Sequence, residues 1–371
     1  MNKNIKKKHI VFSVIILLCC TFFGMATAQN VSGLIARYID CQAVVKFNLN
    51  AADSGTQLTL RYSGDNGTTW FTCTTISGDT GVQTSGSKTI VWDCRADGVV
   101  YGVVEFRVDY ISDCDEQRYT VKGNNGDTAS FTMKCIKGGS LYVGNSPNPL
   151  SQSPNVVLSD FSIGEYEVTQ ALWFAVMGNW PNTSPDTTYG MGDNYPAYYV
   201  NWYDVVGMDF SNIGYTVAGV TYYQDGFCYK LSQLLGGNKK FCLPTEAQWE
   251  YAARGGQQTH GYYYSGSDTI DDVAWYGDNS YSKVHEVGGK AANELGLYDM
   301  SGNVLEWCSD RYGGSYPSSD TNPAGAGSGD DRVYRGGCRS SGRMQCRVHT
   351  RGSFGPYQNR EILGFRLAMT Q

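Results

Sequence analysis

Leu243-Pro244-Thr245-Glu246-Ala247-Gln248-Trp249-Glu250-Tyr251-Ala252-Ala253-Arg254-Gly255-Gly256 and, forty residues on, Gly296-Leu297-Tyr298-Asp299-Met300-Ser301-Gly302-Asn303-Val304-Leu305-Glu306-Trp307 are the stretches on which the fold turns. In the first, Thr245 and Gln248 form a capping box, in which a hydroxyl and a side-chain amide each satisfy a free backbone N–H. The predicted helix carries Trp249, Tyr251 and Ala252, and Gly255 ends it. A second helix starts at Thr169. Val168 and Trp173 are placed as a hydrophobic staple, Leu172 and Val176 lie one turn apart, and Gly178 is the stop. Short helices among Gly- and Tyr-rich loops predict an irregular α+β domain. In the second stretch, Asp299 and Glu306 are hard oxygen donors flanking Ser301-Gly302-Asn303, a turn whose carbonyls can face inward.

Towards the N-terminus the texture changes to period two. Val45, Phe47 and Leu49 alternate with Lys46 and Asn48, Leu58, Leu60 and Tyr62 with Thr59 and Arg61, and Val104, Phe106, Val108 and Tyr110 with Glu105, Arg107 and Asp109. These are half-buried strands joined by turns such as Asp65-Asn66-Gly67 and Ser77-Gly78-Asp79, which predicts a small all-β sandwich over 31–122. Gly123-Asn124-Asn125-Gly126-Asp127 reads as a linker to a second domain over 129–371. Residues 1–28 read as a signal peptide: Lys3, Lys6, Lys7 and Lys8, an apolar run from Ile10 to Phe23, then Ala26-Thr27-Ala28. The expected location is therefore exported, whether periplasmic, cell-surface or secreted, with no transmembrane helix in the mature chain. Removing the four leader lysines from 29 basic residues leaves 25 against 35 acidic ones, a net charge of −10, which excludes a surface built to coat nucleic acid. Ten of the 12 cysteines remain. Cys41, Cys73, Cys94 and Cys114 fall in the sandwich, where export favours disulfides, although four cysteines allow three pairings.

The two opening stretches, with Gly164-Glu165-Tyr166-Glu167-Val168-Thr169-Gln170, Arg335-Gly336-Gly337 and Leu363-Gly364-Phe365-Arg366-Leu367, follow the order and approximate spacing of the formylglycine-generating enzyme (sulfatase-modifying factor) domain. The chain resembles that family from about residue 130 to its end. The resemblance implies a loop-rich relative of the C-type lectin fold, and the amino-terminal sandwich is similar to the immunoglobulin-like modules that precede this domain in exported members. In the resembling enzymes a copper(I) ion between two cysteines, with oxygen, oxidises a sulfatase cysteine to formylglycine. Those cysteines stand fourth and ninth after Arg-Gly-Gly. Here the fourth residue after Gly337 is Ser341, the ninth is Cys346, and Cys338 comes first. Copper(I) needs two soft thiolates, so the pattern argues against it and leaves Cys346 and Cys338 as the only candidate catalytic thiols of this segment. Cys346 reads instead as structural, with Cys308 as a plausible disulfide partner, and Cys228 can pair with Cys242. The resemblance also implies calcium, held by Asp299 and Glu306 and by the carbonyls of Gly302 and Val304. His260, His285 and His349 are isolated in sequence, and none suggests an iron site.

Between Arg332 and Arg366 stand eight arginines and one acid, Glu361, a local +7. Either these are framework residues in internal ion pairs, or they recognise an anion. Arg335, Arg347, Arg351 and Arg366 suit the first account. Arg339 and Arg343, with His349, Phe354, Tyr357 and Arg360, are the candidate ligand-binding surface. Some proteins of this fold are receptors whose terminal loops are diversified by a mutagenic reverse transcriptase, and the small polar residues here are compatible with that use. Residues 206–225 read as an insertion. The expected protein is an exported, calcium-stabilised binding module for protein or glycan that has lost the copper site. The alternative is a divergent copper-dependent formylglycine-generating oxidoreductase acting on a sulfatase cysteine.

Overall fold

The structure is a computed structural model. It describes Val11–Phe12 and residues 31–39, 42–49, 56–63, 71–79, 81–83, 86–93, 96–97, 105–111, 116–141, 156–181, 183–208, 212–313 and 320–370. The rest of the leader, with Cys41, Cys94 and Cys114, lies outside the described residues. The chain forms two compact units that divide after Asp115.

The amino-terminal unit is all-β, with two antiparallel sheets. One contains Val31–Ile39, Gln42–Leu49, Gly86–Asp93 and Ile76–Gly78; the other is built on Glu105–Ile111 and Thr56–Ser63. Alternation is observed where it was expected: Val45 and Phe47 are buried and Lys46 between them is exposed. Tyr62 of one sheet stacks on Trp92 of the other at 4.7 Å, so the apolar faces meet.

The second unit is α+β. Gln117–Lys122 pairs with Thr128–Ile136 from Gln117↔Met133 to Lys122↔Thr128, and that sheet continues through Phe161–Gly164 to Ala368–Thr370. Gly123-Asn124-Asn125-Gly126-Asp127 is therefore the turn of a hairpin, closed by Gly123 N–H to Asp127 O at 2.8 Å, and the expected linker is corrected. A second sheet runs Arg351–Phe354, Arg332–Arg335, Leu305–Arg311, Leu363–Gly364 and draws both family stretches into the core.

Both expected helices form. Gln170–Met177 is capped by Thr169, whose hydroxyl accepts from Leu172 N–H at 3.2 Å, and it ends at Gly178 with φ +79°. Glu246–Ala253 carries both halves of its capping box, Gln248 N–H to Thr245 Oγ1 at 3.2 Å and Thr245 N–H to Gln248 Oε1 at 2.9 Å. All eight of its residues are buried, so Glu246 and Glu250 must find cationic partners inside the domain. The segment read as an insertion forms part of the short helix Trp202–Val206 and the hairpin Gly214–Val217 with Val220–Tyr223. A further helix, Phe227–Leu234, follows.

Candidate functional site

Strand Leu305–Arg311 puts Glu306 at the centre of the unit with no exposure. Its carboxylate accepts from Arg366 Nε and Nη2, each at 2.6 Å, and from Trp249 Nε1 at 2.6 Å. Arg366 also donates to the carbonyls of Gly164 and Tyr298, at 3.0 and 2.8 Å. Two more buried carboxylates share this neighbourhood. Glu167 accepts from Val304 N–H at 3.1 Å and Asn303 Nδ2 at 2.7 Å, and Asp299, at φ +58°, accepts from Gly288 N–H at 2.7 Å. Three acids thus face one guanidinium. Burial, reinforced by Asp299 and Glu306, pushes Glu167 well above the usual carboxylate range. Burial, with Glu306 adding, raises Asp299 to about 6. Surplus carboxylates and hard oxygen donors are the chemistry that calcium prefers, and Asp299, Glu306 and the carbonyls of Gly302 and Val304 are the groups that could hold such an ion. Glu306 would share such an ion with Arg366. Among the described residues no group of three His, Cys, Asp or Glu is placed to hold a metal ion.

The candidate catalytic segment follows Gly336 and Gly337, both with positive φ. At Gly337 a Cβ would lie 2.8 Å from Cys346 Sγ, so only glycine permits the loop's return. Cys346 is buried with Tyr264, Ile270, Val273, Ala274 and Tyr276. Burial, with Cys338 adding, pushes its thiol up to about 12. Cys338 belongs to a different apolar cluster, around Trp307 and Phe365, and its sulfur lies 3.3 Å from the hydroxyls of both Ser340 and Ser341. Ser341 Oγ accepts from Cys338 N–H at 3.0 Å, so the first thiolate position of the enzymes carries a hydroxyl engaged with the backbone. The expected Cys308–Cys346 disulfide is not formed. Strand alternation sends Cys308 into a third cluster, under the Glu246–Ala253 helix, and both thiols are free. Cys228 is likewise a free thiol, so its expected pairing with Cys242 is absent.

Residues 120–371 match the sulfatase-modifying factor enzyme 1-like domain, well over half of the chain. The chain belongs to this family. It is similar to the chaperone protein LppX of Paenibacillus barcinonensis, 36% identical over 213 residues, covering 49% of this chain and 72% of that one. It is also similar to the formylglycine-generating enzyme of Streptomyces coelicolor, 37% identical over 145 residues, covering 34% of this chain and 46% of the enzyme. The chain thus spans about half the length of the formylglycine-generating enzymes it matches. Among solved structures, Treponema denticola variable protein 1 is similar at 34% identity and a TM-score of 0.53, over 68% of this chain and 98% of that one.

Within this sulfatase-modifying-factor-like domain the arginine-rich segment divides in two. Arg335 pairs with Glu246 at 3.3 Å and with Glu250, and Arg351 Nε and Nη2 donate to Glu246 at 2.8 and 2.6 Å. These are the cations that the buried helix requires. Arg339, expected on the ligand surface, is only 4% exposed and is corrected to a core residue. Its N–H bonds to Asn303 O at 2.8 Å, which draws the side chain inward, over the Tyr189 ring at 4.4 Å and onto Ser282 O at 2.7 Å. Arg343, Tyr357 and Arg360 are exposed. Phe354 and His349 are half-buried; Phe354 lies 4.6 Å from the Tyr334 ring and under the Arg360 guanidinium at 4.5 Å. Burial lowers the His349 pKa, so its imidazole is neutral at physiological pH. Sequence reasoning missed Asp310, buried and raised to about 7 by burial and by Glu246, and it missed the cavity wall formed by Arg311 and Arg332.

Proposed function

We propose that the chain is an exported sulfatase-modifying-factor-like protein whose domain works as a calcium-stabilised binding module for a protein or glycan, and not as a formylglycine-generating oxidoreductase. The observation that carries this reading is the state of the thiol segment. Copper(I) demands two converging thiolates. Here Ser341 occupies one of the positions, and the Cys338 side chain packs in a different apolar cluster from that of Cys346. What the same segment of sequence presents to solvent is recognition chemistry, Tyr357 and Arg360, with Arg343 beside Asp278 at 3.4 Å, on a framework locked by buried ion pairs. Calcium at Asp299 and Glu306 would neutralise surplus carboxylate charge and fix the turn through Gly302 and Val304. The leader pattern supports export, and no helix among the described residues is long and apolar enough to cross a membrane. The test is incubation with copper(I), oxygen and a peptide carrying a sulfatase motif. No aldehyde should form on the peptide cysteine; an aldehyde product would refute the reading in favour of a divergent oxidoreductase.

A further inference from the structure

A cavity of about 600 Å3 opens between the Trp202–Val206 helix, the hairpin Gly214–Val217 with Val220–Tyr223, and the strands Leu305–Arg311 and Arg332–Arg335. That size suits a small organic ligand. Arg332 and Arg311 lie on its wall, and none of the described lining residues is acidic. The carboxylates of neighbouring elements are engaged with backbone amides: Asp204 accepts from Asn201 N–H at 2.8 Å, Asp225 from Met208 N–H at 3.0 Å, and Asp310 from Glu246 N–H at 2.9 Å.

Arg332 is only 8% exposed. Its Nη1 donates to Ser309 O at 3.0 Å and its guanidinium covers the Trp202 ring at 3.8 Å, yet its Nε has no hydrogen-bond partner among the described residues. Arg311 spends one donor on the Gly329 carbonyl. Burial first, and then repulsion by Arg311, hold the Arg332 pKa below its usual value, and the nearby Asp310 only partly offsets them. A buried guanidinium with an unused donor is costly, and a planar carboxylate is the group its fork fits best. The rim is aromatic. Tyr203 and Tyr357 approach to 4.8 Å, Tyr357 is 67% exposed, and Tyr223 completes the lining. Such rings combine an apolar face with a hydroxyl, a match for the C–H face and hydroxyls of a sugar.

We propose that this cavity binds an acidic saccharide, with its carboxylate against Arg332 and Arg311 and its ring against Tyr203 and Tyr357. The assignment narrows the binding reading above and rests on it. An acidic peptide would supply the charge but no rigid ring, and it serves as the counter-probe.

The test is calorimetric titration of the full chain with a short oligogalacturonate, with the same oligomer after reduction of its carboxyls to neutral alcohols, and with a glutamate-rich peptide. The oligogalacturonate should bind at least about tenfold more tightly than either control, and Arg311→Gln and Arg332→Gln should each weaken it about tenfold or more, as expected for charge-assisted hydrogen bonds. Tyr357→Ala should weaken both oligomers. Arg332→Gln removes a buried group, so its thermal melt is compared with wild type; Arg311→Gln is half-buried and keeps the charge requirement testable on its own. Absence of oligogalacturonate binding, equal affinity for the neutral oligomer, tighter binding of the peptide, or indifference to Arg311→Gln would each overturn the assignment. Aldehyde formation is read in a separate assay, so a failed titration without aldehyde sinks only this ligand, whereas aldehyde formation sinks the binding reading itself.

Discussion

Replacing Glu306 by Gln keeps the shape of the side chain and removes its charge from a site where three carboxylates meet one guanidinium. In the wild-type chain the Glu306 oxygens accept three hydrogen bonds of 2.6 Å, two from Arg366 and one from Trp249. A glutamine can accept through one oxygen only, and its amide opposes at least one of those donors. Breaking one partner of a buried ion pair costs about 3 to 5 kcal/mol. Asp299 and Glu167 still face Arg366 and offset part of the lost attraction, which places the expected cost near the lower end, about 3 kcal/mol. For a unit of this size about 1 kcal/mol moves the melting temperature by about 2 to 4 °C, so the variant should melt about 6 to 12 °C lower at pH 7. Calorimetry of Glu306→Gln, Arg366→Met and the double variant provides the check. The double variant should be much less destabilised than the sum of the singles, because each single strands the other's partner. With calcium at Asp299 and Glu306, a chelator lowers the wild-type melt and leaves Glu306→Gln unmoved. A shift below about 1 kcal/mol together with strict additivity would show that the centre is not the electrostatic keystone described here.

Asp310 is raised to about 7, so its contribution to stability is complete at low pH and is lost as pH rises through 7. Asp310→Asn should remove that loss, making the variant more stable than wild type at pH 8 by up to about 4 kcal/mol but not at pH 4, as read by urea unfolding at both values. Ser341→Cys restores a thiol at the fourth position after Gly337, and competition with a chromogenic chelator should show copper(I) held at least about tenfold more tightly than by wild type; equal affinities would mean that Ser341 is not what limits the site. Gly337→Ala places a methyl 2.8 Å from Cys346 Sγ and 2.9 Å from Gln345 O at φ +74°, and should cost about 2 kcal/mol or more in a denaturant titration.

The capped helices at Thr169 and Thr245 were legible because a cap is local chemistry, contained in four consecutive residues. Trp202–Val206 carries an equivalent signal in Asn201 and Asp204, whose side chains exchange bonds with each other's amides at 3.0 and 2.8 Å, and an Asn-x-x-Asp pattern could have found it. Phe227–Leu234 offers no such cue, since Gly226 has no side chain with which to cap it. Gly123-Asn124-Asn125-Gly126-Asp127 has a composition that serves a linker and a hairpin turn equally; only the register of Lys122 against Thr128 separates the two. The thiols failed as disulfides for a related reason. Counting places Cys308 and Cys346 along the chain, but the direction of each side chain is set by strand alternation and by the return of the loop past Gly337.

The arginine-rich terminus shows how a charge count misplaces function. Three of the seven surplus charges between Arg332 and Arg366 are neutralised from elsewhere in the chain: Glu246 and Glu250 take Arg335 and Arg351, and Glu306 takes Arg366. Those acids come from a helix and a strand distant in sequence, so a window of the chain cannot see them, and the local surplus is a property of the core. Positive charge that is left for recognition must lack a carboxylate in space. Arg332 and Arg311 come nearest to that condition: they line one cavity with no acidic residue described on its wall, and Asp310, the carboxylate that acts on Arg332, accepts from Glu246 N–H outside that wall. Arg332 merely marked the start of the count, and Arg311 lay outside it. The cavity also draws in Tyr357 from the terminal loop and Tyr203 from a helix that began beyond any recognised motif. Recognition chemistry here is assembled from four separated segments, which is why the motifs that identify the fold carry so little of it.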